Sequence, residues 1–432
     1  MRGLLHARRR NVLVSALLGS LCVCSALAAT GEKIPGLEVL LLDAVRENPS
    51  VTAAAAESRA AESDKQAAKA EWLPSLTARN EIRKTGGTGV LQLDQPVWTF
   101  GRISANVRQA DANLSASHAV IEQTKYDIAL RAVSAWESYV TASLQAEAIS
   151  SYIRELGDFN GMMSRRVAQG VSARIELELV RSRLEQAQVE LDGAETTRRM
   201  AIARLAQLTG RPFDNTQRAD AGHVERLLAR ADQFDDLSAE RLMSASNAYP
   251  SVRVAEYKAL AAEEASKAAK ASRYPSIYLR GVREFGPGRV EANNGVALGL
   301  QYNLSASQSV YGWRGYEARA DGAKLKIEGE RRLVVESLQT ELQTLMGAKS
   351  RAKSLAAARI GAEAVKQSYA RQFIAGRKSW LEVLNALRES ELNEVSIRAA
   401  QVNTVAAYYR LQLLLGQLPW QQTTTGDPRG SA

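Results

Sequence analysis

Two periodicities divide the chain. From Leu177 onward, Val180, Leu184, Ala187, Leu191, Ala194, Ala201, Leu205 and Leu208 recur in steps of three and four, interrupted by Arg198. That spacing is the seam of a coiled coil. A weaker version returns at Val383, Ala386 and Ile397, where Ser390 and Asn393 break it. Elsewhere the period is two. Val296, Leu298, Leu300, Tyr302 and Leu304 alternate with Ala297, Gly299, Gln301 and Asn303, and Leu91, Leu93 and Val97 alternate with Gln92, Asp94 and Pro96. Ile277 and Leu279 flank Tyr278 in the same way, although the stretch from Ser75 to Ile82 alternates poorly. Alternation of this kind predicts strands with one wet face. Turn-forming residues stand at Lys84 to Gly89, at Gly286-Pro287-Gly288 and at Asn293-Asn294-Gly295. The pattern therefore predicts two β-hairpins, over 73–99 and 275–311, the second with the longer loop.

The chain also repeats itself. Asn48-Pro49-Ser50-Val51 returns as Tyr249-Pro250-Ser251-Val252, and Trp72-Leu73-Pro74-Ser75-Leu76 as Arg273-Tyr274-Pro275-Ser276-Ile277, both offset by 201. Phe100-Gly101-Arg102 matches Tyr311 to Arg314 at an offset of about 211, and Gly170 matches Gly376 at 206. An internal repeat governs every later reading. It predicts a signal segment at 1–29, a first unit at 30–212, a connecting segment at 213–247, a second unit at 248–419 and a tail at 420–432.

No proline occurs between Pro96 and Pro212 or between Pro287 and Pro419, and both intervals are rich in helix formers. Gly170 and Gly376 sit inside these intervals as candidate left-handed helix caps, so each is read as a tight turn between antiparallel helices. From Gly101 to Gly170 is 69 residues, roughly 100 Å of helix, and from Gly312 to Gly376 is 64, roughly 95 Å. An ordinary globular domain has no use for helices this long.

The N-terminus reads as a secretory signal, with a basic run at Arg8 to Arg10, an apolar stretch from Val12 to Leu27, and Ala26-Leu27-Ala28 before the cut. The competing reading, a membrane anchor, needs a longer apolar run. Both cysteines, Cys22 and Cys24, fall inside the signal and neither fits a lipoprotein cleavage site, so the mature chain has no thiol chemistry. Four arginines leave with it, and the formal net charge of +9 falls to about +5. No nucleic-acid motif is present, and no later window supplies the uninterrupted apolar run of a helical span. An exported chain of this kind enters a membrane, if at all, as strands.

Aromatic residues bracket the hairpins. Trp72 and Tyr274 precede the first strand of each, and Trp98, Phe100, Tyr311 and Trp313 close the second. Trp and Tyr favour the membrane–water boundary, the alternative being ordinary packing where helix meets sheet. Four strands are too few to close a transmembrane barrel, and open edges in lipid leave N–H and C=O groups unpaired. The barrel must be shared: two chains would give eight strands and three would give twelve.

At these residues the chain resembles the TolC family of outer-membrane export ducts, over roughly 35 to 420. Gln95-Pro96-Val97-Trp98 running into Phe100-Gly101-Arg102, the stretch from Ala375 to Ala386, and Leu413 to Leu418 carry the resemblance. It implies an α+β membrane protein: a homotrimer whose twelve-stranded barrel, four strands per chain, continues into a long α-helical coiled-coil periplasmic barrel. It also implies a gate at the periplasmic tip. By motif position Lys378 would help lock the closed state and Glu382 would form the acidic constriction. Asn385 stands where an aspartate is common, leaving one carboxylate ring instead of two. Phe373 replaces an aromatic that usually carries a hydroxyl, and Glu176 holds the acidic position opposite. Gln169-Gly170-Val171 and Ala375-Gly376-Arg377 match the adaptor-docking tips. For each charged residue the alternative is a solvated helix face.

No catalytic, metal-ligating or phosphate-cradling pattern is visible, and no cofactor is implied. Three functions compete. The first is a passive duct for type I protein secretion, joined to a membrane-fusion adaptor and an inner-membrane ABC transporter. The second is a drug or metal efflux duct with a proton-driven pump. The third is a coiled-coil scaffold without a pore, which would have no need of amphipathic hairpins ending in aromatics.

Overall fold

The computed structural model describes residues 33–83, 86–232, 234, 239–285, 295–302 and 311–417. The signal segment, the tail at 420–432 and the turn residues at 84–85 and 286–294 lie outside them, as does Leu304. Helices α1 (Leu37–Glu47) and α2 (Pro49–Ala70) lead into strands β1 (Ser75–Arg83) and β2 (Gly86–Trp98), then α3 (Arg102–Ala168) and α4 (Arg174–Thr209). After α5 (Ala221–Asp232) the order returns: α6 (Ala239–Ala248), α7 (Pro250–Ala271), β3 (Ser276–Phe285), β4 (Gly295–Gln301), α8 (Trp313–Ile374) and α9 (Trp380–Leu414). Helices α2 and α7 are both 22 residues long and both begin on a proline, which costs nothing where the N–H has no helical partner.

The long helices are the core of the design. Helix α3 runs 67 residues and α8 runs 62. Both end in the same cap. Gly170 and Gly376 take φ of 71° and 72°. Their N–H groups bond Val167 O and Phe373 O, and the next N–H groups reach back to Arg166 O and Gln372 O. This pair of hydrogen bonds around a left-handed glycine satisfies two orphan carbonyls, and each turn reverses the chain in five residues.

The sheet is antiparallel throughout, in the order β1-β2-β3-β4. Its register corrects one expectation. Gly86 to Gly89 is strand rather than turn, because Arg83 pairs with Gly86 and Gly89 pairs with both Asn80 and Phe285. A Cβ on Gly89 would meet the Phe285 ring at 3.7 Å, an ordinary contact, so the strand accepts this glycine without requiring it. A register shift between Pro96 and Trp98 takes up the missing proline N–H in a strand paired on both sides.

The largest apolar cluster sits midway along the helices, where Leu37, Leu40 and Leu41 of α1 meet Trp136 and Tyr139 of α3, Leu205 of α4, Val224 of α5 and Val405 of α9. The break in the α4 seam lies here. Arg198 is 4% exposed and its guanidinium donates to Asn215 O at 2.8 Å, Gln217 O at 2.6 Å and Glu195 at 2.9 Å. A charge at a seam position is thus spent on carbonyls of the connecting segment that no helix would satisfy. The seam itself is buried at Leu177, Val180, Ala187, Ala194, Ala201 and Leu205.

Candidate functional site

The lower ends of the helices close on an aromatic cluster. Trp380, the first residue of α9, is 2% exposed and packs against Phe373 at 5.1 Å and Phe159 at 5.3 Å. Its indole N–H donates to Glu176 O at 3.2 Å, so the α3–α4 hairpin and the α8–α9 hairpin are tied at their tips. Arg166 lies 5.0 Å from the Phe373 ring and donates to Ser172 in the turn at 3.0 Å. Leu156, Met163, Leu177, Val180 and Val383 complete the cluster.

Glu382 does two jobs at the start of α9. Its carboxylate accepts from Ser379 N at 2.9 Å while Ser379 Oγ accepts from Glu382 N, a closed capping box. The other carboxylate oxygen accepts from Lys378 Nζ at 2.6 Å. The Lys378 hydrogen bond, then those from Ser379, hold the Glu382 pKa at about 2. Lys378 also sits 4.3 Å from the centroid of the Tyr369 ring, and its own pKa is raised, first by Glu382. Within one chain, then, the cation, in the turn before α9, pairs with Glu382 and not with Glu176.

Asn385 is exposed one turn further on, Glu176 is half-buried, and Phe373 is buried beneath Arg166 as part of the tip packing. Gln169, Gly170, Val171, Ala375, Gly376 and Arg377 are all exposed at the two turns. Trp380, Phe159 and Arg166 were not singled out by sequence reasoning. The readable signal was an aromatic immediately after a Ser N-cap and next to a repeat glycine.

Above the tip, α9 is laced to its neighbours by ions. Arg388 grips both Glu190 oxygens at 2.8 and 2.9 Å and also reaches Glu391 at 3.0 Å. Burial raises the Glu391 pKa against the pull of Arg388. Lys366 bonds Glu155 across from α8 to α3, and Arg398 bridges Glu394 and Glu147. Of these groups Glu155, Lys366, Glu391, Glu394 and Arg398 line a cavity of about 460 Å³ between α3, α8 and α9.

At the other end the register sorts the sheet into two faces. Leu76, Leu91, Leu93, Leu279, Val296, Leu298 and Leu300 share one face, and Trp98 joins it opposite Ile277. Thr77, Gln92, Asp94 and Arg280 share the other, where Arg280 Nε donates to Asp94 at 2.6 Å across the strands. The apolar face is open: Leu298 is 71% exposed and Val296 72%. At its helical edge Phe100 stacks on Tyr274 at 5.2 Å and meets Trp98 edge-on at 6.0 Å. Trp72 and Tyr311 are exposed on the same border, and Trp313 is half-buried among cations. No helix among the described residues is long and apolar enough to cross a membrane.

The same architecture recurs in solved channels. The chain superposes on the Campylobacter jejuni CmeC outer membrane channel with a TM-score of 0.75 at 12% identity, covering 98% of this chain and 97% of that one. The outer membrane protein VceC from Vibrio cholerae gives 0.74 at 17% identity over 88% and 96%. A membrane protein from Pseudomonas aeruginosa gives 0.75 at 18% over 88% and 93%. No curated protein matches the chain in sequence. Residues 40–211 match the model of the outer membrane efflux protein family. Over those residues the chain matches that family, and as a whole it has the fold of TolC-like outer-membrane channels. It resides in the outer membrane, with its large helical part in the periplasm. Channels of this family are trimers that work with periplasmic adaptors and inner-membrane pumps.

Proposed function

We propose that three copies of this chain form one passive export duct, twelve strands closing the barrel and the long helices lining a periplasmic tunnel. The observation that carries this reading is the sheet: among the described residues four strands, apolar on one face and polar on the other, with β1 and β4 each paired there on one side only. In lipid those free edges must find partners, and in a ring of chains β4 of one pairs β1 of the next. The lower half of α8 supports it. No residue from 349 to 372 is buried in the single chain, and Ile360 and Ile374 are 71% and 70% exposed. Apolar positions on so long a helix call for neighbouring helices.

In this reading the exposed turns around Gly170 and Gly376 meet the membrane-fusion adaptor. Glu176, Phe373, Lys378, Glu382 and Asn385 form the periplasmic gate, with Phe373 acting through the packing of Trp380. The Gly376 to Ala386 stretch favours type I protein secretion with an ABC transporter. The family's description as efflux proteins favours the second reading, a drug or metal duct with a proton-driven pump. A photo-crosslinking residue at Ala375, followed by mass spectrometry of the captured assembly, separates them. An ABC transporter is expected, and a proton-driven pump would replace the first reading with the second.

A further inference from the structure

The two halves of the chain meet the membrane border differently. In the first half, Arg102 at the start of α3 is paired with Glu71 at 3.1 Å, and Asn106 bonds the same carboxylate. In the second half, three cations converge on one indole. Lys270 Nζ lies 5.4 Å from the centroid of Trp313, Arg273 Cζ 5.5 Å and Arg314 Cζ 5.6 Å. One turn on, Arg319 covers the exposed Tyr316 ring at 5.2 Å. A single carboxylate answers this group: Glu317, which pairs with Lys270 at 2.7 Å. Four cations against one anion leave an excess of three, and no carboxylate among the described residues pairs with Arg273, Arg314 or Arg319.

An indole disperses part of that repulsion, but it offers no acceptor oxygens to a guanidinium. The cluster stands one residue from Tyr274, which stacks on Phe100 and so continues the aromatic border of the apolar sheet face. Arg273 and Arg314 are both exposed there. Anionic headgroups lie at that depth, and a phosphate diester presents the paired oxygens that two guanidinium forks accept.

The geometry points to a binding site for the phosphate of an anionic phospholipid of the periplasmic leaflet, formed by Arg273 and Arg314 with Lys270 and Arg319 beside them and Trp313 as its floor. Its occupant is lipid rather than free phosphate because the cluster is continuous with the aromatic border. It rests on the outer-membrane placement alone and is independent of subunit number and cargo. It also gives the second repeat a task that the first, where Arg102 is paired with Glu71, does not share.

The test uses the full chain in nonionic detergent, exchanged into equal mixtures of phosphatidylglycerol and phosphatidylcholine with matched acyl chains. Native mass spectrometry then counts the lipids retained. The parent is expected to favour phosphatidylglycerol by roughly tenfold to thirtyfold, from two basic groups at the surface. The Arg273→Gln/Arg314→Gln variant should fall to near parity, while Arg273→Lys/Arg314→Lys keeps most of the preference. If the double Gln variant assembles poorly, the single Arg314→Gln variant carries the comparison and should lose about half of the preference on a logarithmic scale. No preference in the parent, or an undiminished preference in the Gln variants, would overturn the site. Displacement of phosphatidylglycerol by equimolar inorganic phosphate would overturn the lipid assignment in favour of a free-anion site.

Discussion

Trp380 Nε1 donates to the Glu176 carbonyl at 3.2 Å, joining residues 204 apart at the first turns of α9 and α4. This bond, buried under Phe159 and Phe373, makes the tip one packed unit rather than two free hairpins. Trp380→Ala should therefore cost about 3–5 kcal/mol of local stability, and Trp380→Phe about 1 kcal/mol, since it keeps the packing and loses only the donor. Hydrogen exchange of the amides around Gly170 and Gly376 checks this. Protection in Trp380→Phe equal to that of the parent would mean that the indole N–H contributes nothing.

The Glu382 cap carries a pH dependence with a definite sign. Its folded pKa of about 2 lies below the unfolded value near 4.5, so the folded state binds this proton less readily. The cap's contribution is present above about pH 4.5 and is lost as pH falls toward 2. Carbon-detected NMR of the Glu382 carboxyl should titrate near 2 in the parent and move toward 4.5 in Lys378→Met. Ser379→Ala should also raise it and cost about 1 kcal/mol as a lost N-cap.

Arg198 serves the connecting segment through two hydrogen bonds from one buried guanidinium, which also bonds Glu195 of its own helix. Arg198→Met fills the seam but strands two carbonyls, and is expected to lower stability by about 2–4 kcal/mol in guanidinium unfolding. Arg198→Lys should recover less than half of that loss, because an ammonium cannot reproduce the fork.

Gly36 leaves room for a ring. A Cβ there would stand 2.9 Å from His223 Cε1. Gly36→Ala should destabilise by about 1–3 kcal/mol, and His223→Ala in the same chain should relieve part of it, a coupling that a double-mutant cycle reads directly. Burial holds the His223 pKa below the ordinary 6.5, so this packing weakens as acid charges the ring.

Much of this was written in the sequence. The proline-free intervals and the glycines at 170 and 376 place α3, α4, α8 and α9, because long helices and left-handed caps depend on local chemistry. The alternation at Leu91, Leu93, Leu298 and Leu300 marks the apolar sheet face for the same reason. Gly86 to Gly89 misled, since glycine occurs in strands as well as in turns and pairing across the sheet decides between them. Trp380 and Arg198 were opaque because their roles depend on partners some 200 and 20 residues away. Phe373 looked like a lone aromatic near a gate until its burial with Trp380 placed it in the tip core. The pairing of Lys378 with Glu382 is an i,i+4 relationship that spacing alone made available.

The central claim is that the four-stranded sheet closes only by sharing its edges among three chains. No cysteine follows Cys24 in the sequence, so with Cys22 and Cys24 changed to Ser engineered pairs report cleanly. Thr77→Cys on β1 would be combined in turn with Ala297→Cys, Leu298→Cys and Gly299→Cys on β4, and oxidised in intact outer membranes. At one register, denaturing gels should show covalent dimer and trimer, with nothing larger. A product confined to single chains at every register, or a ladder that stops at two or runs past three, would contradict the shared twelve-stranded barrel.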